Sequence, residues 1–139
     1  MPLEVRYCEG ADFAELFRIQ LAAFNTGMTN LLKPWPVTQE YTESSIEKHI
    51  ASAANEPDCH FLKVVDTDQG DKILGVAKWR INERERTEEQ IQVMLPVPTE
   101  EEEEKLPAAK DFKNYLTRVR RQFMGTKPFY CMSHTLHRL

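Results

Sequence analysis

Apolar and polar positions change rhythm several times along the 139 residues. Around Val5 and Tyr7 they alternate, the period-two pattern of a short strand with one face toward a core. From Asp12 the period lengthens, and Phe13, Leu16, Phe17, Leu21 and Phe24 fall on one helical face. Asp12 is placed to accept from the free N–H groups of the first turn, with Glu15 three residues on as the return partner of a capping box. Gly27 and the Lys33-Pro34-Trp35-Pro36 stretch then break regular structure, because proline lacks a donor and restrains the residue before it. A second helix is expected from about Ser44, with Glu47 completing another capping box and Ile46, Ile50 and Ala53 or Ala54 forming a narrow apolar stripe. Pro57 marks its end.

Two strands follow, 59–66 and 73–81, the first rich in Phe, Leu and Val. The polar, glycine-containing segment 67–71 between them has the chemistry of a hairpin loop. The stretch 82–107 reads as a charged loop insert. Pro96 and Pro98 interrupt it, Glu100 to Glu104 form an unbroken acidic run, and a short helix is expected near Thr87 to Gln90. A third main helix is predicted over 108–124 from the spacing of Phe112, Tyr115, Leu116, Val119 and Phe123, with Gly125 ending it and Pro128 beyond. Residues 129–139 carry the apolar positions that start a strand. No internal repeat is visible.

Length and composition place these elements in one domain, 1–139, with 41% hydrophobic and 29% charged residues, the balance of a globular chain. The net charge of −4 argues against nucleic acid or an anionic membrane as a partner. No apolar run approaches the ~20 residues of a membrane span, and residues 1–10 lack a signal peptide's basic start and apolar stretch. Cys8, Cys59 and Cys131 are odd in number and widely spaced, which suggests neither a disulfide framework nor a CxxC pair. A reduced, cytoplasmic protein is the expectation.

The order strand, helix, helix, hairpin, insert, helix, strand resembles the first half of the Gcn5-related N-acetyltransferase fold with a helix inserted after the third strand. Three stretches carry the likeness to a branch of that superfamily common in filamentous fungi. They are Val5-Arg6-Tyr7 with Asp12 and Ile19-Gln20-Leu21-Ala22-Ala23-Phe24; then Phe61-Leu62-Lys63-Val64-Val65-Asp66; and Ile73-Leu74-Gly75-Val76-Ala77-Lys78-Trp79. The resemblance implies an α+β fold in α/β/α-like layers, an antiparallel sheet with three main helices, truncated at about the start of a fourth strand near Leu139. It also implies an acceptor side on which Phe24, Trp35 and Trp79 floor an apolar substrate pocket; core aromatics are the alternative reading of the same three residues.

The family holds the pyrophosphate of acetyl-coenzyme A in a glycine-rich loop at a helix N-terminus, where free N–H groups and the helix dipole favour an anion. The five glycines here, Gly10, Gly27, Gly70, Gly75 and Gly125, are too far apart to build that loop. No cofactor is therefore expected, no catalytic residue can be carried over, and acetyl transfer by this chain alone is not expected. An unfinished sheet leaves edges of unpaired backbone groups, which a homodimer would cover by pairing or swapping strands.

Other chemistry-bearing residues carry weaker patterns. Cys131, His134 and His137 form a C-x-x-H-x-x-H string, but structural zinc takes four ligands and no second pair is evident, so no metal is expected. His49 and His60 titrate in the range of a general base but have no partner at a telling spacing. Cys59 adjoins His60, yet neighbours on a strand point to opposite faces. Arg118, Arg120 and Arg121 could pair with the acidic run. Two functions remain open. One is a small-molecule-binding or interaction module; the other is an enzyme, either the N-terminal part of an acetyltransferase or a cofactor-free enzyme of fungal secondary metabolism.

Overall fold

The computed structural model of the protein describes residues 2–24, 33–94 and 107–137. Strand β1 (Leu3–Tyr7) is followed by helices α1 (Asp12–Ala23) and α2 (Gln39–Asn55), strands β2 (Cys59–Asp66) and β3 (Lys72–Asn82), helices α3 (Glu88–Met94) and α4 (Pro107–Phe123), and strand β4 (Phe129–His137). The four strands form one sheet in the order β1-β2-β3-β4, and every neighbouring pair is antiparallel. The described residues thus form an α+β fold with a four-stranded antiparallel sheet and four helices. The fourth strand begins at Phe129, ten residues before the position near Leu139 expected for it.

The β2–β3 hairpin forms where the alternation and the loop chemistry placed it. Asp66 is fully buried at its corner, where Oδ1 accepts the Asp68 N–H at 3.0 Å and Oδ2 accepts the Gln69 amide at 2.7 Å. Gly70 (φ 65°) and Asp71 (φ 61°) take the left-handed backbone that turns the chain into β3.

The start of α1 differs from the expected capping box. The Asp12 carboxylate turns back to accept the Glu9 N–H at 2.7 Å and the Lys63 ammonium at 2.6 Å, while Glu15 pairs with Arg18 along the helix. The carboxylate has a better partner in the cation on β2 than in the first-turn amides. Helix α2 starts at Gln39 rather than near Ser44, because Thr38 Oγ1 accepts the Tyr41 N–H at 3.1 Å and caps it. The short helix expected near Thr87 to Gln90 forms as α3. Thr87 and Gln90 form a reciprocal capping box, Thr87 N–H to Gln90 Oε1 at 3.0 Å and Gln90 N–H to Thr87 Oγ1 at 3.2 Å, which opens α3. The acidic run 100–104 and Gly27 lie outside the described residues.

The core is one cluster between α1 and the sheet: Phe13, Leu16 and Ile19 against Cys59, Phe61, Val65, Ile73 and Val76, with Cys8, Phe24 and Ile46 packed around it. Phe13 meets Phe61 edge-on at 5.3 Å between ring centroids, a favoured aromatic geometry. Helix α1 packs on β3 and β4, and α2 on β2. Register puts Cys59, Phe61, Lys63 and Val65 on the helix side of β2, with Arg80, Lys78, Val76 and Ile73 opposite them on β3. The other face carries Leu3, Val5 and Tyr7 of β1, Leu62 and Val64 of β2, Ala77, Trp79 and Ile81 of β3, and Tyr130 and Met132 of β4. Leu3, Val5, Tyr7, Tyr130 and Met132 are all half exposed or more, so the described residues form two layers, not the three expected.

Candidate functional site

The end of the sheet where β2 begins and β3 finishes holds a cleft of about 670 Å³. Its walls are the C-terminus of α2, the turn into β2, the end of β3 and the segment running into α3; Glu56, Asp58, Arg80, Asn82, Arg84 and Glu89 line it. The volume lies within the usual range for a small-molecule site.

Arg80 is the organising side chain. The register Cys59↔Arg80 brings it beside the turn that precedes β2. Its Nη1 donates to Asp58 Oδ2 at 3.1 Å, and its Nη2 pairs with Glu56 Oε2. The turn itself is fixed by backbone bonds, Cys59 N–H to the Glu56 carbonyl at 3.0 Å and Ile81 N–H to the Asp58 carbonyl at 2.8 Å. Burial works against the charge on Arg80, but the Glu56 hydrogen bond and the two carboxylates hold its pKa above the ordinary arginine value. For Glu56, burial pushes upward, and bonds from Ser52 and Arg80 reverse it, so its carboxyl lies below the usual range. Arg80 and Glu56 are therefore ionised at neutral pH, and the guanidinium lies between the side chains of Glu56 and Asp58.

Arg86 closes the far wall. It is buried, its guanidinium lies 4.5 Å from the Phe129 ring centroid, its Nη2 donates to the Gly125 carbonyl at 2.7 Å, and its backbone N–H donates to the Thr126 carbonyl at 2.9 Å. These contacts tie the segment before α3 to the turn after α4. Arg84, Glu85 and Glu89 are exposed at the mouth.

A second group of titratable side chains lies deeper on the same side. Lys78 Nζ sits 4.9 Å from the centroid of Phe61, and the His49 ring stands 5.5 Å from that ring. His49 Nδ1 lies 2.6 Å from the Ser45 carbonyl, which assigns its proton to that nitrogen. Burial lowers the pKa of both His49 and Lys78 and raises that of the Cys59 thiol. The cavity these residues share with Leu16, Gln20 and Phe61 is about 10 Å³, room for one water molecule.

The three residues expected to floor a pocket are spread out. Phe24 packs at the margin of the core on the helix side. Trp79 lies on the opposite face of β3, cross-strand from His60 and Met132. Trp35 is 75% exposed in the stretch before α2. None of the three lines the Arg80 cleft. His60 is cross-strand from Trp79, with its Nδ1 3.5 Å from the Tyr7 hydroxyl and its ring away from Cys59. Cys131, His134 and His137 all fall in strand β4. Glu56, Asp58 and Arg80 were not singled out by sequence reasoning. Arg80 lies 22 positions from Asp58 and 24 from Glu56, and the sequence signal for their meeting is the hairpin register.

Comparison with models of known protein families, with curated proteins and with solved structures found no match. The class the fold and the cleft define is therefore stated from the chain itself: an α+β protein with a polar cleft at one end of an antiparallel sheet.

Proposed function

We propose that this chain is a binding module built on the first half of an acetyltransferase-like fold, and that its ligand is a small polar molecule taken in the Arg80 cleft. The cleft carries the reading. It has the volume of a small-molecule site, and its walls hold both signs of charge together with the amides of Asn55, Asn82 and Gln90. A wall that mixes guanidinium, carboxylate and amide groups suits a ligand with both an anionic and a cationic end, such as a free amino acid or a dipeptide. The resemblance implies an antiparallel sheet, and the antiparallel pairing of the described strands supports this reading. With glycines only at 10, 27, 70, 75 and 125, the reading assigns no acetyl transfer to this chain. The molecule is proposed to work as a homodimer in the cytoplasm.

The enzyme alternative has one observation in its favour, the half-buried His49–Lys78 group with lowered pKa values. The adjoining cavity of about 10 Å³ admits no substrate, so binding is the preferred reading. The test is a titration of the isotope-labelled protein with the common amino acids and a dipeptide panel, followed by amide shifts. Saturable shifts at Arg80, Asn82 and Arg84, weakened at least tenfold by Arg84→Ala, are expected. A flat response to the whole panel would refute the ligand class. Saturable micromolar binding of acetyl-coenzyme A would refute the exclusion of acetyl transfer.

A further inference from the structure

The sheet face turned away from α1 and α2 has a composition unlike the rest of the molecule. Across its four strands it presents Leu3, Val5, Tyr7, His60, Leu62, Val64, Gly75, Ala77, Trp79, Ile81, Tyr130 and Met132. None of these is Lys, Arg, Asp or Glu, in a chain where 29% of residues are; among the described residues the same register adds charge at the hairpin end of the face, where Leu3 opposes the fully buried Asp66 and Asp66 opposes the exposed Lys72. The helix side of the same strands instead holds Lys63, Lys78 and Arg80.

We propose that this open face is the interface with a second copy of the chain, the two sheets stacking face to face about a two-fold axis. The inference rests on the homodimer part of the preceding reading and replaces edge pairing with face packing as the contact. Three observations select this occupant. The first is extent. Leu3, Val5, Tyr7, Tyr130 and Met132 are half to two-thirds exposed, and with large side chains offering about 150–250 Å² each they present on the order of 600 Å² of apolar surface per chain. Two copies would bury roughly 1,200 Å², the lower end of specific interfaces, while a patch of that size is at the upper limit for a monomer.

The second is charge. About a two-fold axis a patch meets itself, so any formal charge near the axis faces its own copy. A face whose described centre, from Val5 across to Tyr130, carries no formal charge avoids that repulsion, and a strongly basic or acidic partner would find little complement there. The third is the sheet edge. Glu4 and Arg6 place charge along β1, and Arg6 is tied to Glu4 Oε2 and to Asp71 Oδ2 at 2.9 Å. Charge on an outer strand is a device that blunts strand addition. In the proposed dimer Tyr7, Trp79 and Tyr130 are the aromatic anchors. The sheets stack about 10 Å apart with strands within about 30° of alignment.

The experiment is sedimentation velocity on the full chain from 1 to 200 µM, with Val5→Glu and Tyr130→Glu as face variants and Glu4→Lys as an edge variant. Val5 and Tyr130 are exposed in the single chain, so both face variants fold, as circular dichroism would verify. A wild-type dimer whose dissociation constant rises at least tenfold in a folded face variant, and stays within threefold in Glu4→Lys, supports the interface. A wild-type monomer at 200 µM overturns it. So does a dimer untouched by both face variants, or one lost only with Glu4→Lys. Amino-acid titration of the monomeric face variant reads the Arg80 cleft separately, so loss of ligand binding there would sink the cleft reading and leave the interface standing.

Discussion

Lys63 Nζ lies 2.6 Å from Asp12 Oδ2, joining the centre of β2 to the first turn of α1, and both side chains are less than one-fifth exposed. The same oxygen accepts the Glu9 backbone N–H. This carboxylate therefore fixes how the chain enters α1 and where that helix rests on the sheet. Asp12→Ala leaves a half-buried ammonium and one backbone N–H without partners. The expected cost is about 2–4 kcal/mol in urea unfolding. Lys63→Met, which removes the charge and keeps the stem, should cost clearly less. Equal losses in the two variants would contradict this account.

Arg80 holds two carboxylates at once, so its removal leaves two like charges close together in a part-buried turn. Arg80→Met is expected to destabilise by about 2–4 kcal/mol at pH 7. The loss should shrink as pH falls into the carboxylate range, because protonation of Glu56 removes the repulsion. A pH-independent loss would show that the arginine stem, and not its charge, is what stabilises the turn.

Burial holds the pKa of His49 below the ordinary value near 6.5. In the window between its folded pKa and 6.5 the unfolded chain binds more protons than the folded one. Stability then rises with pH, and it falls as pH drops from 6.5 toward the folded pKa. The contribution of this one group cannot exceed about 1.4 kcal/mol per pH unit. Urea midpoints of the wild type and His49→Gln, measured from pH 7.5 to 5, should converge as pH falls. Parallel curves would show that His49 takes up its proton with no penalty in the fold.

Cys8 is half-buried, and burial, reinforced by the charge of Asp12 and opposed by Lys63, pushes its thiol up to about 11. At pH 8 the thiolate is then on the order of one part in a thousand, against roughly a quarter for an unfolded thiol of pKa about 8.5. Iodoacetamide at pH 8 is expected to modify Cys8 and the buried Cys59 slowly in the native protein and rapidly in 8 M urea. Native-state labelling of Cys8 at the unfolded rate would mean that β1 opens readily from the sheet.

The elements were legible where a local pattern and a local chemistry agreed. Strand β2 carries its expected bounds, Cys59 and Asp66, and the hairpin loop has its glycine at a left-handed position. Helix α1 starts at Asp12 as expected, but the capping differs, because a carboxylate at a helix start has two outlets. Its own first-turn amides are visible in the sequence, whereas Lys63 is fifty-one positions away. The start of α2 was misread for a related reason. Thr38 has no apolar run after it to mark it as a cap, and α2 buries none of its residues fully. Phe24, Trp35 and Trp79 look alike as candidate pocket residues, but one sits on each side of the sheet and the third in the stretch before α2.

The sequence by itself determined the parts that depend on relations two to four residues apart: the alternation of β2 and β3, the amphipathic runs of α1 and α4, the turn chemistry and the absence of a glycine loop. Tertiary structure alone decided which side of each strand faces the helices, because a register shift of one residue exchanges the two faces. Through that choice it set Arg80 between Glu56 and Asp58, closed the cleft with Arg86, and left Leu3, Val5, Tyr7, Tyr130 and Met132 exposed on the far face of the sheet. Those features depend on pairings across twenty or more residues, and no local pattern records them.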